Sequence, residues 1–385
     1  MKTRGQITVT VLLIIALLVG CAAFGAGLAF ASPARVWEVF LVNLLFWTGL
    51  AQGGVVFSAT LYMCQARWGG PGLYRLAESG SKFLPVGFFL FWVLFGGRFV
   101  IFPWITHPIH EKSPYLNVPF MFARDGAGLF AMWILSWIFV RQSRRQQVVD
   151  WANNYESVEE APGCVAYLAP IVGIAFVIVY CLLGIDLVMS LSPQWYDAMF
   201  PIYFAFGAYM SGVFGMGLLA SLGKRPLRRD TSGERGGVLH DLGKLVFGAG
   251  SFWAYLLFAM YLVIWYGDIP KETFFAAPRV NYAPWGAIGW SATGLIFVLP
   301  FFFLMSKKAK QSPYVMGFVC FGSLVGVWME RYVLVTPSMS RYSIPFGWIE
   351  ILVTIGFIGL FGLATISDLR MLPGATVRQA REEAA

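Results

Sequence analysis

Charge is scarce in this chain: Asp, Glu, Lys and Arg make up 12% of its 385 residues, against 58% hydrophobic. With a mean hydropathy of +0.67, that scarcity excludes a water-soluble globule. Histidine is scarcer still. Three histidines, none well inside an apolar run, cannot supply the paired axial ligands of a di-haem cytochrome b bundle. The five cysteines (Cys21, Cys64, Cys164, Cys181, Cys320) are scattered, with no Cys-x-x-Cys and no Cys-x-x-Cys-His. That argues against metal clusters, covalent haem and a disulfide framework. No glycine-rich phosphate loop occurs, and the glycines inside apolar runs are accounted for by helix packing. If the protein serves redox chemistry, its electron carriers belong to other subunits.

What the sequence does have is ten apolar stretches joined by short connectors. They run over Ile7–Ala31, Trp37–Met63, Phe83–Trp104, Pro119–Val140, Tyr167–Met189, Met199–Leu222, Leu242–Trp265, Pro284–Met305, Val315–Arg331 and Pro345–Ile366. Each is long enough to cross a hydrocarbon core of ~30 Å as a helix rising ~1.5 Å per residue. The stretches lack the alternation of barrel strands, so an all-α integral membrane protein is expected. Lys and Arg set the orientation: one set of connectors carries 19, the opposite set 6. The richer side is read as cytoplasmic, with both termini on that side, as an even number of spans requires. The net charge of +8 then reflects contact with anionic lipid and calls for no nucleic-acid partner.

At the N-terminus, Leu18-Val19-Gly20-Cys21 resembles a lipoprotein cleavage site. The apolar run continues through Ala31, so a retained first helix is expected. The longest connector, Arg141–Ala166, is mixed in charge and too small for a domain. The tail after Asp368 is expected to be a short solvated helix or disordered.

Two parts of the chain look alike. Gly49 and Gly54 of the second stretch fall on Gly207 and Gly212 of the sixth, and Lys82 falls on Lys244. Asp186 stands seven residues before Pro193, and Glu330 seven before Pro337. Two four-helix bundles of like topology are expected, over residues 37–198 and 199–344, flanked by 1–36 and 345–385. Gly49-x-x-x-Gly53 and Gly207-x-x-x-Ser211 would allow close helix approach within each bundle.

The ionisable residues gather toward the outer side. Glu38, Arg98, Arg124, Asp125, Asp186, Glu330, Arg331 and Glu350 lie in or near the outer third, with His107 and His110 just outside. Structural ion pairs account for some of them. The sharper reading is a polar cluster that takes up or releases protons. Its best candidates are Asp125, Asp186 and Glu330, joined by Arg331 and Glu350, with His107 as the group titrating nearest neutral pH. On the cytoplasmic side His240, Asp241 and Lys244 open the seventh stretch; Lys244 either snorkels to the interface or gates proton entry. Between the layers stand uncharged groups such as Gln52, Tyr209, Ser211, Ser251 and Tyr255.

Three segments carry a family resemblance: HPIHEKSPYLNVPFMFAR (His107–Arg124), HDLGKLVFGAGSFWAYLLFAMYLVIWYGDIPKET (His240–Thr273) and MERYVLVTPS (Met329–Ser338). They resemble the second large membrane subunit of alternative complex III, a quinol:electron-acceptor oxidoreductase. That subunit belongs to the polysulfide-reductase membrane-subunit, NrfD-like, superfamily. The resemblance implies two four-helix bundles with no covalently bound cofactor, a quinone such as menaquinone being the ligand to expect. It also implies a sister NrfD-like membrane subunit, a periplasmic iron–sulfur subunit and multihaem cytochrome c subunits as partners. Quinol would be oxidised near the outer face, mainly in the sister subunit. The chain itself would provide a proton path or a second quinone site, and would not be catalytic alone. One departure stands out: Lys271 occupies the position after the Ile-Pro proline, where the family leads one to expect an acid.

Two other readings remain open. A secondary transporter would also show repeats, but no charged residue falls at mid-membrane here. The membrane anchor of a molybdenum-containing reductase of the same superfamily would share the fold and reverse the redox direction.

Overall fold

The computed structural model of the chain describes residues 4–66, 68, 70–152, 163–223, 235–281, 283–340 and 343–370. Arg67, the middle of the Arg141–Ala166 connector, the basic run from Lys224, Arg341, the tail beyond Arg370 and the side chain of Lys271 lie outside that description. Among the described residues ten helices are long and apolar enough to cross a membrane. They are α1 (Ile7–Phe30), α2 (Pro33–Met63), α3 (Gly72–Ile101), α4 (Val118–Gln147), α5 (Gly163–Leu191), α6 (Phe200–Leu222), α7 (Gly237–Gly267), α8 (Trp285–Phe303), α9 (Pro313–Ser338) and α10 (Trp348–Asp368). The protein is an all-α, multi-pass integral membrane protein.

Several boundaries differ from the apolar runs, for local reasons. α2 begins at Pro33, ahead of Trp37, because proline at the first helical position has a preset φ and no N–H to leave unpaired. α3 begins well before Phe83. Its first turns, Gly70–Glu78, are only weakly apolar yet partly buried in protein, and a tighter 3-10 segment at Ser79–Phe83 joins them to the apolar run. α8 widens into a π-turn at Gly294–Val298, just before Pro300. Pro300 has no N–H to offer the preceding turn, and Ser323 Oγ of α9 donates instead to the Leu295 carbonyl at 3.0 Å. A neighbouring hydroxyl thus satisfies backbone that lipid could not.

α2, α3, α4 and α5 pack on one another and so do α6, α7, α8 and α9, but α2 and α5 also pack closely on α6, so equally close contacts join these two groups. The closest approach runs between these groups, not within them. A Cβ on Gly53 would lie 2.2 Å from the Ala208 carbonyl oxygen, and one on Gly212 would lie 2.2 Å from the Gly53 backbone. The Gly49-x-x-x-Gly53 motif therefore seams α2 to α6, correcting the expectation of approach within each bundle. Spacing alone marks a small-residue face, and does not say which helix meets it. α2 is the hub, with 89% of its central window buried, whereas α1 has 11% and lies at the periphery against α10.

Candidate functional site: buried acids at both ends of α2–α5

At one end of the first group, Arg124 of α4 reaches Asp186 of α5. Nη2 and Nε lie 2.5 Å and 3.0 Å from Oδ2, and Asp186 is fully buried. Asp125, next in the chain, turns its buried carboxyl toward Asp186. Neither of its oxygens has a hydrogen-bond partner, and Asp186 Oδ1 has none either. Arg124 Nη1 is also buried without a partner, so the cluster holds one unpaired donor and three unpaired acceptor oxygens. Outside it, Tyr115 lays its ring 4.1 Å from the Arg124 guanidinium. Burial, followed by the charge of Asp186, pushes the Tyr115 hydroxyl pKa above its ordinary value, so it stays a donor.

Glu330 and Arg331 of α9 are also buried, at the same end of the molecule. Arg331 Nη1 lies 3.4 Å from Glu330 Oε2, while Nη2 donates to the Phe204 carbonyl at 3.2 Å. Gly207 makes room for that guanidinium: a Cβ there would stand 2.7 Å from Nη2. Glu350 has its own partner, Arg35. Arg35 grips it through Nε and Nη2 at 2.8–3.1 Å, and the Gly347 N–H donates to it at 2.7 Å. Nearby, Glu38 is buried with one oxygen unpartnered.

The opposite end holds an acid that the sequence reading missed. Glu78 of α3 is fully buried. It accepts from Ser58 Oγ at 2.9 Å, from Ser143 Oγ, and from Gln147 Nε2 at 3.2 Å on each oxygen. Arg144 Nε stands 3.6 Å away, and its Nη2 pairs with Asp368 at 2.7 Å. Lys82 completes the group, 2.6 Å from the other Asp368 oxygen and 2.7 Å from Ser367 Oγ. Between the two ends, Gln52 Nε2 donates to Ser136 Oγ at 2.9 Å, both buried, and the Tyr180 hydroxyl donates to the Thr48 carbonyl at 2.9 Å. On α4, Asp125, Ser136 and Ser143 span 18 residues, about 27 Å at the helical rise. That is close to the ~30 Å of a hydrocarbon core. Buried polar groups therefore run along α2 and α4 from one end to the other.

The structure brings Asp125 and Asp186 together, and Glu330 with Arg331, but leaves the other candidates apart. His107 is exposed on the connector, and no described contact ties it to the carboxyls. Asp241 and Lys244 form a surface pair at 2.8 Å, one turn apart on α7. His240 is half-buried beside them, its Nδ1 without a partner. Among the described residues no three His, Cys, Asp or Glu side chains come together as a metal site. Glu78 was missed because it precedes the apolar run. Its signal was there in retrospect: an acid four residues before Lys82, on a segment that continues the α3 helix.

A family model described as polysulphide reductase, NrfD, matches residues 27–342. No curated protein matches the chain.

Proposed function

Because the chain belongs to the NrfD family, the matched region reaching from the end of α1 past α9, we propose that it is a membrane subunit of a quinol:electron-acceptor oxidoreductase of the alternative complex III kind. In this reading it holds no redox centre, and moves protons between its two buried acid clusters while quinol is oxidised beside it. A quinone, menaquinone among them, binds without a covalent link. The partners are a sister NrfD-like subunit, a periplasmic iron–sulfur subunit and multihaem cytochrome c subunits. The Asp125 end faces the periplasm of a bacterial inner membrane, the Glu78 end and both termini the cytoplasm; the excess of Lys and Arg on the Glu78 side supports this.

The observation that carries the reading is the polar file through α2–α5. Buried carboxyls at each end of a bundle are costly in lipid and mark ion pathways. The intervals along α4 are about 16 Å from Asp125 to Ser136 and about 10 Å from Ser136 to Ser143, too long for direct transfer, so protons need water between these stations. Arg124 and Arg144 each sit at a carboxyl and keep one charge balanced while the neighbouring acid loads or unloads.

The test uses the purified complex in liposomes. Gln52→Leu closes the middle of the file, and Glu78→Gln removes its far acid. Each is expected to lower protons moved per quinol oxidised at least severalfold, while quinol oxidation under uncoupled conditions persists. An unchanged proton-to-quinol ratio in both variants rejects the proposal. A second reading rests on the name of the matched model, a reductase: the same subunit anchoring a molybdenum-containing reductase, with electrons running from partner to quinone. Gene neighbours and the direction of turnover in the purified complex separate the two.

A further inference from the structure

Asp125 and Asp186 are both buried, whereas Tyr115, on the connector that leads into α4, is 36% exposed. The chain is fixed on either side of that tyrosine. Asn117 caps α4, its Oδ1 accepting from the Phe120 N–H at 2.9 Å and its Nδ2 donating to the Pro114 carbonyl at 3.1 Å. Three residues before Tyr115, the Lys112 carbonyl accepts from the Tyr115 N–H at 3.0 Å. Lys112 Nζ donates to the Pro193 carbonyl at 2.6 Å, which ties the connector to the chain that follows α5.

Held in this way, the Tyr115 ring covers the Arg124 guanidinium at 4.1 Å, and Phe120 stands over the same group at 4.6 Å. Two aromatic rings thus flank Arg124, and one of them carries a hydroxyl. Asp186 is the carboxyl that acts most strongly on that hydroxyl, with Asp125 behind it. Asp186 Oδ1 and both Asp125 oxygens have no partner. A hydroxyl on a part-exposed ring therefore stands beside a carboxyl with an oxygen to spare. Arg124 has donors alone and does not give up its charge, whereas a phenol can accept and donate at once. Burial, then the charge of Asp186, raises the Tyr115 pKa, so the hydroxyl keeps its hydrogen between transfers.

We propose that Tyr115 is the outer relay of the Asp125–Asp186 pair, carrying its proton to external water; this rests on the proton-moving reading of the chain given above. In the step, the O–H of the carboxylic acid breaks and its proton goes to Tyr115 Oη. The Tyr115 O–H breaks as that happens, and its proton goes to a water outside. The tyrosine is neutral before and after, and the carboxylate left behind faces Arg124.

The test uses the whole complex in liposomes, with protons moved per quinol oxidised as the readout. Tyr115→Phe keeps a ring over Arg124 and removes the hydroxyl. It is expected to lower the ratio at least threefold while the melting temperature of the complex stays the same. Tyr115→Leu removes ring and hydroxyl together, and should lower both the ratio and the melting temperature. An unchanged ratio in Tyr115→Phe overturns the proposal whatever Tyr115→Leu does, because the ring alone then suffices. Asp125→Asn in the same assay separates the relay from the proton path beneath it. A loss in Asp125→Asn beside an unchanged Tyr115→Phe rejects the relay alone, and no loss in either variant rejects both.

Discussion

In the first helix group Asp186 reaches across to Arg124 on another helix, whereas Glu330, at the matched position in the second, leans on Arg331 beside it in its own helix. Lys82 pairs with Asp368 on α10, but its counterpart Lys244 pairs with Asp241 a single turn away. Glu78 and His240 each stand four residues before those lysines. Glu78 is wrapped by four side chains from α2 and α4, while His240 has a nitrogen left over. The hydroxyls divide in the same way. Ser58, Ser136 and Ser143 bond to other side chains, whereas Ser211, Ser251 and Ser221 donate to carbonyls three or four residues back in their own helices. A hydroxyl bonded to its own backbone is spent locally, and one bonded to a neighbour's side chain can pass a proton on. At these positions α2–α5 thus join side chain to side chain across helices, whereas α6–α9 cross between helices at backbone carbonyls, as Ser323 does to Leu295 and Arg331 to Phe204.

This asymmetry can be broken experimentally. The largest effect is expected at Asp186→Ala, which strands Arg124 in a buried site and should destabilise the complex by about 3–5 kcal/mol. Glu330→Ala should cost clearly less, because Arg331 keeps its bond to the Phe204 carbonyl. Thermal unfolding of the two purified variants side by side gives the answer, and equal losses would erase the distinction. A middle-sized effect is expected at Ser143→Ala, about 1–3 kcal/mol for removing a donor from a buried carboxylate. Ser251→Ala, which frees only a bond back to its own helix, should be close to neutral. The smallest contrast lies in the lysines. A double-mutant cycle on Lys82 and Asp368 should give a coupling of about 1 kcal/mol, against about 0.3 kcal/mol for Lys244 and Asp241. The second value should vanish in high salt, since both partners are exposed.

Much of this molecule was legible from hydropathy. Ten apolar runs gave ten helices, and the acids Asp125, Asp186, Glu330 and Glu350 stood out because each lies in a run where a carboxylate is costly. What could not be read was pairing. Asp125 and Asp186 are 61 residues apart, and nothing in either run says that α4 and α5 meet at that height. Nor does the sequence pair Glu350 with Arg35, 315 residues away. Glu78 and Asp368 escaped notice because they sit at the polar margins of their helices, where hydropathy expects solvent and the fold supplies protein. His107 is exposed on its connector. No described contact ties it to the buried carboxyls, and spacing along the chain could not have said so.

The contact between α1 and α10 has a bearing on how the chain is made. Gly20 and Gly356 abut, a Cβ on Gly20 lying 2.3 Å from the Gly356 Cα, and Gly359 meets the Leu13 carbonyl in the same way. α1 leaves the ribosome more than 300 residues before α10, an interval of roughly 15–60 s at bacterial synthesis rates. Through that interval its glycine-bearing face has no mate, and the helix must be held in the bilayer by its own hydrophobicity. Joining α10 to α1 therefore closes a contact between the first and the last of the described spans only after every helix between them has been made.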